Sequence, residues 1–390
     1  MSYVLRDYQQ QASDAAVSFF NNKAKKNNAI MVLPTGAGKS LVIADIAARL
    51  NGHTLVFQPS KEILEQNYLK LCSYGVLDCS IYSASFGRKE ISRITFATIG
   101  SVINHPELFQ HFQNIIIDEC HLVNPKEGMY KSFLSILKCK VLGLTATPYR
   151  LSSSRDFGSM LKFITRTRPC IFSEVIYQVQ ISTLLDMGYL AKLDYYAMNP
   201  IGWNELNLKV NTNGTDYTDK SVIREYERID FYGYLVHIVQ RLMNPKSGVR
   251  RKGILVFTRF LKEAERLTWS IPGTAIVSGE TPKKERERVL EAFKAGEIPV
   301  VANVGVLTTG FDYPELDTIV MARPTMSLAL WYQIVGRAIR PHPSKKAGWI
   351  VDLCGNIKRF GEVKDLRLVD GGNGKWAVYS GYRQLTNVRF

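Results

Sequence analysis

Short runs of β-branched and other apolar residues recur along the first 150 positions, separated by longer stretches in which apolar positions return every three or four residues. The runs at 29–33, 54–58, 94–97, 115–118 and 141–144 do not alternate with polar residues, so they read as strands buried on both faces. Strands of that kind, interleaved with helices, predict a parallel sheet covered on both sides. The helix that opens after Ser40 carries Leu41, Val42, Asp45, Ile46 and Ala48, and Asn51-Gly52 stops it.

From about 151 to 230 the pattern loosens. SSSRDFGSM and NTNGTDYTDK are rich in turn formers, which predicts a connector and insertion between two lobes. The alternation resumes with strands at 253–257, 274–277, 299–301, 318–321 and 349–353. Between two of these, Thr281 is placed to cap a helix with Pro282 at its first position, Val289, Leu290 and Phe293 on one face, and Gly296 after its end. The expected organisation is therefore 1–150, 151–230 and 231–390, the last repeating the architecture of the first and ending in a basic segment.

Composition narrows the classes. The chain has 390 residues and 46% hydrophobic content, enough for two cores, which excludes a disordered chain and a small stapled scaffold. Lys and Arg number 50 against 35 Asp and Glu, a formal charge of +15, and residues 321–390 hold 12 of the cations and only 4 of the anions. An excess so placed calls for an acidic partner, with nucleic acid foremost. The six cysteines include no C-x-x-C pair and have no histidine at metal-ligand spacing, so they read as reduced, mostly buried thiols. The opening MSYVLRDYQQQ lacks a basic segment leading into an apolar one, and no apolar run approaches the ~18 residues a membrane span needs. A cytoplasmic chain with no membrane partner is expected.

Candidate chemistry begins at Leu33-Pro34-Thr35-Gly36-Ala37-Gly38-Lys39-Ser40, which follows the first strand and opens a helix. Backbone N–H groups freed by Gly36 and Gly38 can wrap phosphate oxygens, Lys39 can neutralise the β/γ charge, and the Ser40 hydroxyl can ligate Mg²⁺. Leu33 stands where the general phosphate-loop pattern has its first glycine. Further on, Ile115-Ile116-Ile117-Asp118-Glu119-Cys120-His121 is an apolar strand ending in two carboxylates. Asp118 can hold the metal's shell while Glu119 orients or deprotonates the attacking water, the division of labour that phosphoryl transfer needs.

In the second lobe, Gln333, Arg337 and Arg340 stand at i, i+4 and i+7 on an expected helix from about 327 to 340, so they share a face, while Ile334, Val335, Ala338 and Ile339 form the packing stripe. Such arginines can reach across a cleft to a γ-phosphate.

These residues, in this order, resemble superfamily 2 helicases of the DExH type. Leu5-Arg6-Asp7-Tyr8-Gln9 is similar to the adenine-reading Q motif, LPTGAGKS to motif I, Gln58-Pro59-Ser60-Lys61-Glu62 to Ia, and Ala97-Thr98-Ile99-Gly100-Ser101 to Ib. DECH is motif II, and Thr145-Ala146-Thr147-Pro148 is motif III. Val256-Phe257-Thr258-Arg259 resembles motif IV, Asn303 to Asp312 motif V, and Gln333 to Arg340 motif VI. LRxYQ, IxDECH, LGLTATPxRL and NVxVLTTGFDxP together look most like the RadD-type DNA repair helicases, relatives of the XPB and UvsW group. RadD-type chains carry a cysteine-ligated zinc module after the second lobe; here nothing beyond Cys354 could ligate zinc, and none is expected.

The resemblance implies two tandem RecA-like parallel-sheet domains of α/β class with the nucleotide site in the cleft between them. It implies ATP and Mg²⁺ as cofactors, with Arg6, Gln9, Pro34, Thr35, Gly36, Ala37, Gly38, Lys39, Ser40, Gly310 and Asp312 around the nucleotide. The metal falls to Ser40 and Asp118, and catalysis to Lys39, Asp118, Glu119, His121, Gln333, Arg337 and Arg340. Phosphate-backbone contacts fall to Ser60, Lys61, Thr98, Gly100, Ser101, Thr258, Arg259, Thr308 and Thr309, with the basic tail residues Lys345, Lys346, Lys358, Arg359, Lys364 and Arg367 extending the track.

The expected activity is an ATP-dependent DNA helicase or translocase in repair or recombination, acting as a monomer on single-stranded or branched DNA, with a single-strand-binding protein or a recombinase as family-type partners. The alternatives are a non-unwinding DNA-stimulated ATPase that assists recombination, an RNA helicase, and a nuclease reading of Asp352 with Glu362-Val363-Lys364.

Overall fold

The computed structural model describes residues 4–24, 27–137, 139–154, 158–198, 206–212, 214–246, 248, 251, 253–307 and 313–388. Two mostly parallel sheets carry the chain. In the first, eight strands run in the order Glu174–Gln178, Ala29–Val32, Lys140–Thr145, Asn114–Ile117, Thr54–Phe57, Ile94–Ala97, Cys79–Ser83 and Arg88–Lys89, and only the last is antiparallel to its neighbour. In the second, six parallel strands run in the order Lys192–Ala197, Ala347–Asp352, Thr318–Ala322, Ile254–Thr258, Val300–Val304 and Thr274–Ser278. The central strands are buried along their length, as non-alternating apolar runs require.

The stretch 151–230 is not simply a connector. Glu174–Gln178 completes the first sheet beside Ala29–Val32, and Lys192–Ala197 opens the second beside Ala347–Asp352. These strands escape the sequence pattern because both lie at sheet edges, where EVIYQ and KLDYYA are only half covered. A hairpin of Tyr149–Ser154 with Gly158–Phe163 stands just after motif III. The basic end of the chain also folds: Leu366–Asp370, Trp376–Ser380 and Arg383–Gln384 form a small antiparallel sheet.

Two helix expectations shift. The motif VI helix is Leu328–Val335, capped by the Ser327 side chain, which accepts from Leu330 N–H. Arg337 and Arg340 therefore lie in the turn beyond it, although Ile334, Val335, Ala338 and Ile339 are all buried as expected. In the helix Lys283–Ala295 the cap position is Pro282 rather than Thr281, while Gly296 ends it with φ of 79° as predicted.

Candidate nucleotide site at the lobe interface

The strand Ala29–Val32 delivers the phosphate loop to the helix Lys39–Arg49. Gly36 and Gly38 have φ of 84° and 77°, a conformation that side-chain-bearing residues resist. A Cβ on Gly38 would lie 2.5 Å from Gln9 Nε2, so the loop is also closed to substitution by its neighbour. That neighbour is the start of the helix Asp7–Asn21: Gln9 Nε2 and the Tyr8 hydroxyl both donate to Ala37 O, at 2.9 and 2.8 Å. Gln9 Oε1 accepts from Arg6 N, and the Arg6 guanidinium lies 4.1 Å over the Tyr189 ring. Pro34 and Thr35 are buried and Ser40 is half-buried in the first helical turn.

The strand Asn114–Ile117 brings Asp118 and Glu119 to the same cleft. Glu119 sits in the left-handed region, φ 48°, with its N–H on Asp118 Oδ1 at 2.9 Å. A non-glycine residue held there aims its side chain differently from a continuing strand and stores strain at the site. Lys39 Nζ meets Glu119 Oε1 at 3.0 Å, and His121 Nδ1 lies 3.3 Å from Oε2. Oε2 is buried without an aligned hydrogen bond.

Burial alone would raise the Glu119 carboxyl, but Lys39 and His121 outweigh it and hold it well below the usual carboxylate range. Asp118 goes the other way, pushed up by burial and by the Glu119 charge despite Lys39. The environment thus keeps Glu119 ionised and makes Asp118 a carboxylate in want of a cation.

Motif VI reaches this cluster from the second lobe. Gln333 Nε2 donates to His121 Nε2 at 3.3 Å, which leaves the ring proton on Nδ1, facing Thr145 Oγ1 at 2.9 Å and Glu119. Thr145 Oγ1 also accepts from Thr147 N–H at 3.0 Å, so motifs II, III and VI form one hydrogen-bonded chain. Burial lowers Arg337 to about 10 and also lowers Arg340. Arg337 Nε donates to Gln333 O at 3.3 Å. A Cβ on Gly336 would meet Thr35 Cγ2 at 2.6 Å, so the second lobe sits directly on the phosphate loop. Tyr8, Tyr189, Thr145 and Tyr332 are contributions that the site residues read from sequence leave out; Tyr8 and Tyr332 each stand next to a glutamine that was read.

Nucleic-acid candidates divide. Ser60 caps the helix Lys61–Ser73, Thr98 and Ser101 hydroxyls lie 2.9 Å apart, and Gly100 is exposed beside them. Lys61 Nζ donates to Ser85 O at 2.7 Å and lies 4.2 Å over the Phe86 ring. Thr258 and Arg259 do not fit the role. Thr258 is 1% exposed and donates to Asn303 O. Arg259 binds Asp216, Asp219 and Tyr217 O, with only 9% of its side chain exposed. Thr308, Thr309, Gly310 and Asp312 lie outside the described residues.

In the tail, Lys345 Nζ donates to Pro314 O, Leu316 O and Ala338 O, which makes it a structural pin rather than part of a surface track. Asp352 is 1% exposed and accepts from Cys354 N, Ile357 N and Asn356 Nδ2, while Lys364 pairs with Glu362 at 2.7 Å. Those oxygens cap a helix, and the nuclease reading loses its carboxylate. Of the cysteines, Cys79 and Cys120 are buried, Cys170 is exposed and the other three are half-buried, fewer buried than the sequence reading expects.

Two family models match the chain. The type III restriction enzyme res subunit covers residues 2–150, and the helicase conserved C-terminal domain covers 234–342. The putative ATP-dependent helicase IRC3 of Saccharomyces cerevisiae is 25% identical over 90% of this chain and 52% of its own length. The DNA 3'-5' translocase XPB2 of Sulfurisphaera tokodaii is 26% identical over 86% of this chain and 78% of its own. Among solved structures, the ATP-dependent type ISP restriction-modification enzyme LlaBIII bound to DNA shares the fold with a TM-score of 0.67 and 19% identity, over 90% of this chain and 28% of that one. The chain spans half to two thirds of the length of several of its curated relatives.

Proposed function

The chain belongs to the superfamily 2 helicases, and from that premise we propose that it hydrolyses ATP to move on or remodel DNA, single-stranded or branched. The observation that carries this reading is the contact across the lobes, Gln333 to His121 to Glu119, which joins the water-activating carboxylate of one lobe to the arginine-bearing segment of the other.

The residues fit a nucleoside triphosphate with its metal. Two left-handed glycines shape a cradle, Glu119 keeps a buried oxygen without an aligned partner, and Asp118 stands close by with its ionisation suppressed. Ser40 and Asp118 would hold Mg²⁺, which supplies Lewis-acid stabilisation of charge on the phosphates. Gln9 orients the loop and reads the base. Lys39 leaves Glu119 for the β/γ-phosphates, which frees Glu119 to take a proton from the attacking water. Arg337 and Arg340 stabilise charge on the γ-phosphoryl oxygens and draw the second lobe in; loss of phosphate removes that bridge, and the lobes part. Repetition of closure and opening advances the chain along a strand.

Turnover, nucleotide binding and strand displacement should be measured on ssDNA, duplex, fork and RNA. Glu119→Gln is expected to lower DNA-stimulated turnover by about 10²–10⁴-fold while nucleotide binding persists. Full turnover by that variant, or stimulation by RNA alone, would overturn the proposal. DNA-stimulated turnover without strand displacement would assign the chain to remodelling rather than unwinding.

A further inference from the structure

Away from the nucleotide cleft, the helix Lys61–Ser73 and the strand Cys79–Ser83 bring two thiols together, with Cys72 Sγ and Cys79 Sγ 3.5 Å apart. Cys72 lies in the last helical turn and Cys79 is the first residue of the strand. Gly75 N–H donates to Cys72 O at 2.9 Å and closes the turn between them. Cys79 is buried, with Sγ donating to Val76 O at 3.3 Å, whereas Cys72 is half-buried and so the less covered of the two. Burial, with the two thiols close by, raises the Tyr68 hydroxyl. The other cysteines sit elsewhere: Cys120 against Gly143, Cys139 on Phe112 O, Cys354 beside Tyr226, and Cys170 exposed.

We propose that Cys72 and Cys79 form a dithiol that a hydroperoxide oxidises to an intrachain disulfide. In the first step the Cys72 sulfur attacks a peroxide oxygen, the O–O bond breaks, and the departing oxygen takes the thiol proton and leaves as water or alcohol. Cys72 is then a sulfenic acid. In the second step the Cys79 sulfur attacks the Cys72 sulfur, the S–O bond breaks, and hydroxide leaves with the Cys79 proton as water. Two thiols and one hydroperoxide thus give one disulfide, one water and one further water or alcohol.

The order follows from position. Burial, with Cys72 close by, pushes the Cys79 thiol up to about 12, so it responds second, while Cys72 meets the oxidant. A bond of about 2.05 Å asks the sulfurs to close by roughly 1.5 Å. The consequence falls on the motif Ia segment. Its helix is already tied at the N-terminal end, where Lys61 reaches Ser85 O beyond the strand, and the disulfide would tie the other end to the same strand.

The test treats the full chain with hydrogen peroxide in several-fold molar excess, enough for two oxidation steps at one sulfur, blocks remaining thiols, and digests with a protease that cuts before aspartate. Asp78 lies between the two cysteines, so their fragments stay together only through a sulfur–sulfur bond. The expected result is a linked pair that dithiothreitol separates, a rise in Tm that dithiothreitol reverses, and overoxidation of Cys72 to the sulfinic acid in Cys79→Ser. Blocked thiols at both positions after peroxide would overturn the proposal. So would a sulfinic Cys72 beside an intact Cys79 thiol in the unaltered protein.

Discussion

At the scale of single residues, the site is a set of groups that position one another before substrate arrives. His121 depends on Gln333 for its tautomer and on Thr145 for its orientation, so these residues should act as a unit. His121→Ala and Gln333→Ala are each expected to lower ATP turnover by roughly tenfold or more, and the double variant should cost little beyond the worse single one. Fully additive losses in steady-state kinetics would show that the contact across the lobes carries no coupling. The carboxylates and Lys39 were legible from sequence because their spacing to strand and helix is local. The fate of Arg259 was not, because Asp216 and Asp219, which hold it, stand 43 and 40 positions earlier in a stretch that reads as loop.

At the scale of elements, the helix Leu261–Ser270 shows how a motif is anchored. Glu263 Oε2 accepts from Phe260 N–H at 3.1 Å, and burial raises the carboxyl from 4.5 to about 7. The folded chain holds this proton more tightly than the unfolded chain. Its contribution to stability is therefore full below pH 4.5 and is lost as pH rises through about 7. Glu263→Gln should flatten that dependence and raise stability at pH 8, by up to about 3 kcal/mol, in chemical denaturation across pH 4–8. An unchanged profile would refute it.

The motif VI helix teaches a different lesson about legibility. Its apolar stripe continues past Val335 because Ile339 is buried against Gly36 of the first lobe and Ala338 against Gly348 of the second sheet, and periodicity records burial rather than hydrogen bonding. The central strands were readable for the same reason, since burial on both faces erases polar positions. The edge strands and the terminal sheet lack that signature.

At the scale of the whole molecule, the terminal sheet follows the second lobe in the chain yet docks on the first. Gln180 donates to Leu368 O at 2.8 Å and accepts from Leu368 N–H at 3.0 Å, Asn387 is bonded to Leu161 and Phe163, and Trp376 stacks near Phe163. Its apolar face closes a small cavity with Pro34, Ala146, Pro148 and Tyr332. Gln180→Ala is expected to destabilise this docking by about 1–3 kcal/mol, seen as faster amide exchange over 366–380. Unchanged exchange would deny that the side chain holds the sheet.

Exposed cations remain in the basic segment even with Lys345 withdrawn: Lys346 just before the second-sheet strand Ala347–Asp352, and Arg367 in the terminal sheet. Replacing Lys346 and Arg367 with alanine should reduce the slope of log affinity for DNA against log salt by nearly two if both touch phosphates, and leave it unchanged if neither does.

The docking also sets an order of events during synthesis. At about 5–20 residues per second, roughly 10–40 s separate the emergence of Gln178, which completes the first sheet, from that of the residues that cover its neighbour, the hairpin ending in Phe163. For that interval a finished lobe shows the ribosome and its chaperones a bare apolar flank. Folding of each lobe therefore leaves this flank uncovered until residues 366–388 return to the lobe made first.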